Sequence, residues 1–327
     1  MEKDVVLEVE NLHTVFKIQK KEYEVLHDIS FTVHRNETVC IVGESGCGKS
    51  VTTLCVTGLL PKNGRITEGS IKLDGDDITH LSEKERVKYR GKKVGMIFQE
   101  PMTALNPLLT IGFQIGENLR LHRGFSKEEA QKEAVNMLKK VGIANPEQRV
   151  KQYPFQLSGG LRQRVMIAMV LAAEPDLLIA DEPTTALDVT IQKQVLTLLN
   201  KLKKEMNSGI MFITHDLGVV AEIADRVVVL YAGRKVEEGS VEQIFNDPRH
   251  PYTIGLMKAV PNIDSDEFEI EPIPGMFPNI QDEIPGCRFN PRCSHAATCP
   301  LCKQENPEMV EVEPGHFVAC HLVGGKL

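Results

Sequence analysis

The sequence lacks several features that would place it in other classes of protein. No apolar run reaches about 18 residues, so no segment is expected to span a lipid bilayer. Basic residues are not in excess: 38 lysines and arginines face 45 aspartates and glutamates, and the formal net charge of −7 argues against general affinity for nucleic acid. The first residues, Met1 to Val6, contain no secretory hydrophobic region, so we expect a cytosolic chain. Internal repeats and low-complexity tracts are also absent.

A glycine-rich segment lies between a strand-like run and a helix-like run. Val39 to Val42 predicts a buried strand, and a helix is predicted from Lys49 to about Leu60. Glycines in this context let backbone N–H groups converge on a polyphosphate at a helix N-terminus, whereas a chance glycine turn is the alternative. The segment consists of Gly43, Glu44, Ser45, Gly46, Cys47, Gly48, Lys49 and Ser50. In this pattern Lys49 reaches the β- and γ-phosphates and Ser50 binds Mg²⁺, so we predict a nucleoside triphosphate site.

Two adjacent acids close a second apolar strand. Asp181 and Glu182 follow the run Leu177 to Ala180. Beside a phosphate loop, a carboxylate at a strand end lies near Mg²⁺ and the γ-phosphate. We therefore predict that Asp181 binds the metal through water and that Glu182 is the base for the attacking water. A surface pair of acids is the alternative interpretation.

A second candidate anion site is formed by Leu157-Ser-Gly-Gly160, followed by Gln163 and an apolar helix to about Ala173. Ser158, Gly159 and Gly160 could place a hydroxyl and N–H groups at the tip of this helix. They could instead be an N-cap and two glycines that allow close packing. Because the phosphate loop already holds one nucleotide, the second site would bind another ligand or face the nucleotide of a partner.

Strands and helices alternate along most of the chain, which predicts an α/β fold with a mostly parallel sheet covered by helices. Residues 106–173 have a different character and predict a helical insertion. Within it, a stripe at helical spacing is expected to be core; its members are Ala130, Ala134, Met137, Leu138 and Val141. Residues 261–291 are rich in proline and acids, and predict an irregular extension.

Taken together, these motifs resemble the ATPase subunits of ABC transporters over roughly residues 5–240. The order and spacing of the phosphate loop, Gln99, the Leu157–Gly160 segment, Asp181-Glu182, Ala186-Leu187-Asp188 and His215 carry the resemblance. The oligopeptide/dipeptide importer branch is favoured by longer strings. These are Phe98 to Pro107, Asp181 to Thr190, His250 to Thr253 and Gly286 to Cys293.

The resemblance implies roles for further residues and antiparallel strands near the N-terminus. Gln99 would sense Mg²⁺ and water, and His215 would contact the γ-phosphate, with a satisfied core histidine as the alternative. Asp188 would lie at a dimer seam, while also serving as a helix N-cap. Phe16 would stack on adenine, although Tyr23 lies close by and Phe16 could be core.

The resemblance also implies partners and domains. Two ATPs would lie between two ATPase subunits, the partner being a related chain in a heterodimer or a second copy. Two membrane-spanning permease subunits and, indirectly, an extracytoplasmic solute-binding protein would complete a peptide importer at the cytoplasmic face of the membrane. Nickel or another small solute is an alternative cargo, and a soluble non-transport ABC ATPase or a phosphotransferase is an alternative class. Residues 1–255 would form the nucleotide-binding domain, with its helical subdomain at about 100–175, and residues 256–327 the extension.

Five of the eight cysteines fall in the C-terminal extension, which suits an iron–sulfur cluster or a structural zinc better than disulfides in a cytosolic chain. Reduced thiols that pin the tail by packing are the alternative. The resemblance implies a [4Fe–4S] cluster on Cys287, Cys293, Cys302 and Cys320, with Cys299 as the alternative ligand to Cys302. The other three, Cys40, Cys47 and Cys55, are expected to be small buried side chains.

Overall fold

The computed structural model describes residues 4–185, 187–259 and 272–323. Ala186 and the first part of the irregular extension predicted at 261–291 lie outside these residues. The chain divides into two compact units. The first contains the residues before Glu8, Val33–Glu37 and Leu73–Phe212; the second contains Glu8–Thr32, Thr38–Lys72 and the residues after Phe212.

Twelve strands are present in the described residues. They are β1 Val5–Ile18, β2 Lys21–His34, β3 Thr38–Val42, β4 Gly64–Leu73, β5 Asp76–Asp77, β6 Val94–Ile97, β7 Leu177–Asp181, β8 Gly209–Ile213, β9 Arg226–Tyr231, β10 Arg234–Ser240, β11 Val310–Glu313 and β12 His316–Val318.

Eleven α-helices accompany these strands in the described part of the chain. They are α1 Lys49–Thr57, α2 Glu83–Arg86, α3 Pro101–Ala104, α4 Ile111–Arg123, α5 Lys127–Lys140, α6 Pro146–Arg149, α7 Gly159–Leu171, α8 Val189–Met206, α9 Leu217–Ile223, α10 Val241–Asn246 and α11 Pro251–Lys258. None of the helices described is long and apolar enough to cross a membrane.

In the first unit, β7 lies between β8 and β6. Strands β6 and β7 pair in parallel, with Val94 opposite Leu177 and Ile97 opposite Ala180. Parallel strands buried on both faces read as continuous apolar runs, which is how β7 appears in the sequence. Because both strands run the same way, their carboxyl ends meet at one edge, and the residues that follow them become neighbours.

The helical block of the first unit is formed by α3 to α7, and α4, α5 and α7 pack on one another. Ser126 caps α5 in a capping box with Glu129, which satisfies backbone N–H groups at the helix start. All five residues of the predicted apolar stripe, from Ala130 to Val141, are at most 3% exposed. The prediction that this stripe is core is confirmed.

The second unit contains the strand order β11-β12-β10-β9-β3. Strand β3 pairs in parallel with β9, while β9–β10, β10–β12 and β11–β12 are antiparallel. Strands β1 and β2 are neighbours in a separate sheet and are joined by Gln19 and Lys20, both with positive φ. Positive φ at both turn residues is the geometry of a tight antiparallel hairpin, as predicted for the N-terminal strands.

Helix α1 is shorter than predicted. The sequence favoured a helix to about Leu60, but the helix ends at Thr57. Gly58 adopts a left-handed conformation with φ of 65°, and its N–H bonds back to the carbonyl oxygens of Leu54 and Cys55. A glycine in this conformation satisfies the last carbonyl groups and stops the helix.

Candidate nucleotide site

The phosphate loop joins β3 to α1, and two of its glycines are required by close backbone contacts. A Cβ on Gly43 would lie 2.2 Å from the carbonyl oxygen of Leu230, and φ at this residue is +147°. At Gly48, where φ is +112°, a Cβ would lie 2.7 Å from Cδ2 of Leu26. Strand β9 and the hairpin strand β2 therefore hold the loop in a shape that only glycine allows at these positions.

Lys49 lies inside the loop and is 7% exposed. Its Nζ donates to the carbonyl oxygens of Gly43 at 2.6 Å and of Glu44 at 3.0 Å, and contacts Sγ of Cys47 at 3.7 Å. The ammonium group is thus held at the concave side of the loop by carbonyl dipoles. Ser45, Gly46 and Ser50 are exposed, so the outer side of the loop is open to a ligand.

Glu44 connects the phosphate loop to the C-terminal part of the chain. Its N–H donates to the hydroxyl of Tyr252 at 2.8 Å. Its two carboxylate oxygens accept from Arg292 at 2.6 and 3.1 Å. A Cβ on Gly46 would lie 3.6 Å from the ring of Phe277. Sequence reasoning missed these three supporting residues as site residues. Two of them, Tyr252 and Arg292, lie in the strings His250 to Thr253 and Gly286 to Cys293 that carried the resemblance.

Gln99 and Glu182 lie together in the first unit. Nε2 of Gln99 donates to Oε2 of Glu182 at 2.8 Å, and the hydroxyl of Thr185 donates to the same oxygen at 3.1 Å. Gln99 and Glu182 are 83 positions apart in the sequence. They lie close together because each follows one of the adjacent parallel strands β6 and β7. Asp181 is the last residue of β7 and is half-buried. The structure therefore groups the predicted base with the predicted sensor residue.

Glu182 also has an unusual backbone conformation, with φ of +45°. A side chain other than glycine in the left-handed region carries backbone strain, which clusters at functional sites. This conformation therefore coincides with the residue that the sequence predicts to be the catalytic base.

The segment Ser158-Gly159-Gly160 begins helix α7, and its two glycines differ. A Cβ on Gly160 would lie 3.3 Å from Cγ2 of Ile191, so close packing explains this glycine. No described atom lies within 4 Å of a Cβ on Gly159, and both Ser158 and Gly159 are exposed. The packing interpretation therefore accounts for Gly160 and leaves Gly159 open to a partner or a ligand.

Gln163 and Asp188 have local roles in the first unit. The buried amide of Gln163 donates through Nε2 to the carbonyl oxygen of Pro183 at 2.6 Å, and so holds the segment that follows Glu182. Asp188 accepts from the N–H of Ile191 at 3.0 Å and caps α8, as its alternative interpretation predicted. Its exposed position leaves room for the dimer role.

His215 and Phe16 belong to the second unit. His215 follows the buried strand β8 and is itself exposed, so the interpretation as a core histidine is wrong. Phe16 is half-buried on β1, and its ring carbons would lie 3.0 Å from a Cβ on Gly64. Gly64 thus makes space for the ring, and one part of Phe16 remains accessible.

The C-terminal cysteines are all free thiols in the described residues. A cavity of about 10 Å³ is lined by Cys287, Cys293, Cys302 and Cys320, which are the four favoured ligands. Burial raises the pKa of Cys287 to about 11 and of Cys302 to about 12, the latter with help from the neighbouring thiol of Cys299. Cys299 is not among the residues that line this cavity; it packs with Ala296 and Cys302 in an apolar cluster.

Thiolates are the metal-binding form of cysteine, and raised pKa values keep these thiols protonated near neutral pH. No group of three or more His, Cys, Asp or Glu side chains in the described ranges is arranged to hold a metal ion. Cysteine thiols are chemically suitable ligands for an iron–sulfur cluster. In the described residues, however, they are not arranged as a preformed metal site. The three remaining cysteines, Cys40, Cys47 and Cys55, are fully buried, as predicted.

Comparison with known proteins gives matches over the whole chain. The profile of the ABC transporter family matches residues 26–185, and that of the oligopeptide/dipeptide transporter C-terminal region matches residues 236–299. The chain is 49% identical to the oligopeptide transport ATP-binding protein AppD of Bacillus subtilis, over 97% of this chain and 96% of AppD. It is 49% identical to the oligopeptide transport ATP-binding protein OppD of Salmonella typhimurium, over 97% and 93% of the two chains.

Among solved structures, a dimeric ATP-binding cassette in a post-hydrolysis state bound to ADP and Pi is similar to this chain. The two share 31% sequence identity and a TM-score of 0.65, over 72% of this chain and 98% of the cassette. The chain therefore belongs to the ABC transporter family and is an ATPase of that family. The predicted fold class and the predicted resemblance are both confirmed.

Proposed function

We propose that this chain is the ATP-hydrolysing subunit of a transporter that imports peptides across the cytoplasmic membrane. The observation that carries the proposal is the end-to-end likeness to relatives named for oligopeptide transport. That likeness includes residues 236–299, which match the profile of the oligopeptide/dipeptide transporter C-terminal region.

In this proposal the phosphate loop, Gly43 to Ser50, holds the phosphates of ATP. Lys49 is already aimed at the concave side of the loop, where phosphate oxygens can replace its two carbonyl partners. Ser50, Gln99 and Asp181 are the proposed Mg²⁺ residues. The metal ion would neutralise phosphate charge.

Glu182 is the proposed base for the water that attacks the γ-phosphate. The amide of Gln99 and the hydroxyl of Thr185 donate to one carboxylate oxygen, which fixes the orientation of the group. His215, exposed at the end of β8, is the proposed contact to the γ-phosphate.

Ser158, Gly159 and Gly160 are proposed to bind the nucleotide held by the phosphate loop of a second ATPase subunit. The open space at Gly159 supports this role, as does the likeness to a cassette that is itself dimeric. Gln163 and Asp188 would support the same seam, and Phe16 would stack on adenine. The second subunit is proposed to be a related chain, in a heterodimer, with a homodimer as the alternative.

Two membrane-spanning permease subunits are the further proposed partners, with an extracytoplasmic solute-binding protein acting indirectly and with no nucleic acid. The chain would be a peripheral protein at the cytoplasmic face. We propose that residues 1–255 form the nucleotide-binding domain, with its helical subdomain at about 100–175, and that residues 256–327 form the extension.

The test is reconstitution of the proteins that co-purify with this chain in mild detergent. ATP-driven uptake of a labelled tripeptide into proteoliposomes is expected, and the same complex with Glu182→Gln should take up none. Uptake of Ni²⁺ or another small solute instead of peptide would show that the transported solute is not a peptide. Failure to recover any membrane-embedded partner would favour a soluble non-transport ATPase.

We also propose that Cys287, Cys293, Cys302 and Cys320 bind a [4Fe–4S] cluster that ties the extension together. Support comes from the single cavity that these four side chains line, since cysteine thiolates are the usual ligands of such clusters. Protein purified without oxygen is expected to contain iron and acid-labile sulfide, both lost in Cys302→Ser. The matched control is Cys299→Ser, which should keep both. Absence of iron from the parent protein would overturn this proposal.

A further inference from the structure

A polar cavity of about 480 Å³ lies within the second unit, and none of the residues that line it is assigned to the nucleotide. Its wall includes His27 of β2, Arg234 and Lys235 at the start of β10, and Arg288 and Phe289 of the C-terminal extension. None of these side chains takes part in the ATPase chemistry proposed above. A cavity of this size accommodates a small organic molecule.

The ring of His27 has one nitrogen without a partner in this cavity. His27 is 5% exposed, and its Nδ1 lies 2.9 Å from Oε2 of Glu24. Nε2 is buried and has no hydrogen-bond partner. Burial of a polar atom without a partner costs free energy that a ligand can recover.

The charges around His27 indicate whether its Nε2 requires a hydrogen-bond donor or an acceptor. Burial lowers the pKa of His27 to about 4; the charges of Arg288 and Arg234 act in the same direction, and Glu24 opposes them. The ring is therefore neutral near pH 7, and its single proton lies on Nδ1, facing the carboxylate of Glu24. Nε2 is then an acceptor, so it requires a donor.

Two guanidinium groups of the same cavity form no direct ion pair in the described part of the chain. Nε of Arg234 is buried without a hydrogen-bond partner. Arg288 lines the same cavity as Arg234. Across the described residues, neither guanidinium lies within 4 Å of a carboxylate oxygen. Lys235, by contrast, is held by Glu238 and by the carbonyl oxygen of Ser30.

The nearby acids form no ion pair with these two cations in the described chain: both carboxylate oxygens of Glu24 lie against the rings of His13 and His27. Asp28 and Glu308 line the cavity, but both are exposed to solvent and neither forms an ion pair with Arg234 or Arg288 in the described chain. The interior of the cavity therefore presents two unpaired cations and one unpaired acceptor. An anion between two guanidinium groups would relieve their mutual repulsion and would form charge-assisted hydrogen bonds.

We propose that this cavity binds a small organic anion whose carboxylate or phosphate group meets Arg234 and Arg288 and whose adjacent hydroxyl or amine donates to Nε2 of His27. Planar guanidinium groups match both kinds of anion in geometry. The second donor distinguishes the ligand from a simple inorganic ion. The site is separate from the phosphate loop, so the proposal does not depend on the assignment of the ATPase residues.

The experiment measures binding to the full chain by calorimetry, with the phosphate loop filled by ATP in the Glu182→Gln background. The probes are matched pairs: lactate against propionate, and glycerol 3-phosphate against propyl phosphate. In each pair one member lacks the adjacent hydroxyl. A hydroxyl-bearing probe is expected to bind with Kd of about 1 mM or tighter, and at least about fivefold more tightly than its pair. The pair that binds decides between carboxylate and phosphate.

Two variants assign the binding to this cavity. Arg234→Gln is expected to weaken binding by about tenfold or more, whereas the control Arg65→Gln, an exposed arginine paired with Glu22, should leave it unchanged. His27→Gln should abolish the preference for the hydroxyl-bearing probe. Circular dichroism identifies a variant that fails to fold. The other variant then shows whether the probe binds in this cavity. No binding of any probe, or equal binding in the parent protein and both variants, would overturn the proposal.

Discussion

Replacing Arg292 by glutamine removes the charge that holds Glu44 at the phosphate loop. The side chain of Arg292 is 4% exposed and binds both carboxylate oxygens of Glu44, whose own side chain is 31% exposed. Nε of Arg292 also donates to the carbonyl oxygen of Pro274 at 2.9 Å, and the guanidinium group lies 5.8 Å from the ring centre of Tyr231. The substitution therefore loosens the loop and the extension together.

The expected cost follows from burial. Breaking a fully buried pair by removal of one partner costs about 3–5 kcal/mol, because the remaining charge is left uncompensated. Here water can reach Glu44 and solvate part of its charge, so we expect a loss of about 2 kcal/mol in the free energy of unfolding. Because the loop is less fixed, ATP affinity should also fall by about tenfold, equivalent to about 1.4 kcal/mol.

The assay is urea unfolding, followed by calorimetric titration of ATP into the folded variant. Arg65→Gln is the matched control: its pair with Glu22 has a similar 2.7 Å separation, but the two side chains are 59% and 47% exposed. Such a surface pair contributes about 0–1 kcal/mol. A double-mutant cycle with Glu44→Gln isolates the pair itself, since the two losses should not add. If Arg292→Gln costs no more than Arg65→Gln, or binds ATP like the parent protein, the reasoning fails.

Three other predictions concern chemistry, loop shape and pH. Glu182→Gln should lower ATP turnover by at least about 100-fold and keep ATP affinity within a few-fold, and wild-type turnover would refute its role as base. Gly43→Ala, whose Cβ would lie 2.2 Å from the carbonyl oxygen of Leu230, should abolish ATP binding, as filter binding can show; normal affinity would mean that the loop adapts. The hydrogen bond from Lys93 lowers the pKa of Asp74, so Asp74 stabilises the fold above the ordinary aspartate pKa and loses this effect as pH falls. Asp74→Asn should therefore be less stable than the parent by about 0.5–1 kcal/mol at pH 7, with the difference shrinking in urea unfolding as pH falls below the ordinary aspartate pKa; a gap that is independent of pH would contradict this.

Local patterns predicted the parts of the site that lie within one strand–loop–helix segment. The phosphate loop, the acids after β7 and the caps of α5 and α8 each depend on residues within a few positions of one another. The grouping of Gln99 with Glu182 was implied by the resemblance, and the parallel pairing of β6 with β7 supplies its physical basis.

Contacts between distant segments could not be predicted in this way. Arg292 lies 248 positions from Glu44, and an arginine next to a cysteine gives no sign that it binds a phosphate loop. The unpaired Nε2 of His27 and Nε of Arg234 could not be predicted either, because the sequence does not show which buried polar atoms lack hydrogen-bond partners. Even the end of α1 was misplaced, since the apolar run beyond Thr57 concealed the effect of Gly58.

The bond from Arg292 to Glu44 also bears on how this protein can be cut and joined. The proposed boundary near residue 256 would be the obvious place to truncate the chain to its nucleotide-binding domain or to attach another C-terminal segment. A chain truncated there would lack Arg292, so the carboxylate of Glu44 in the phosphate loop would lose its ion-pair partner. Any trimmed or chimeric version should therefore carry a neutral residue at position 44, or bring a replacement cation with the new tail.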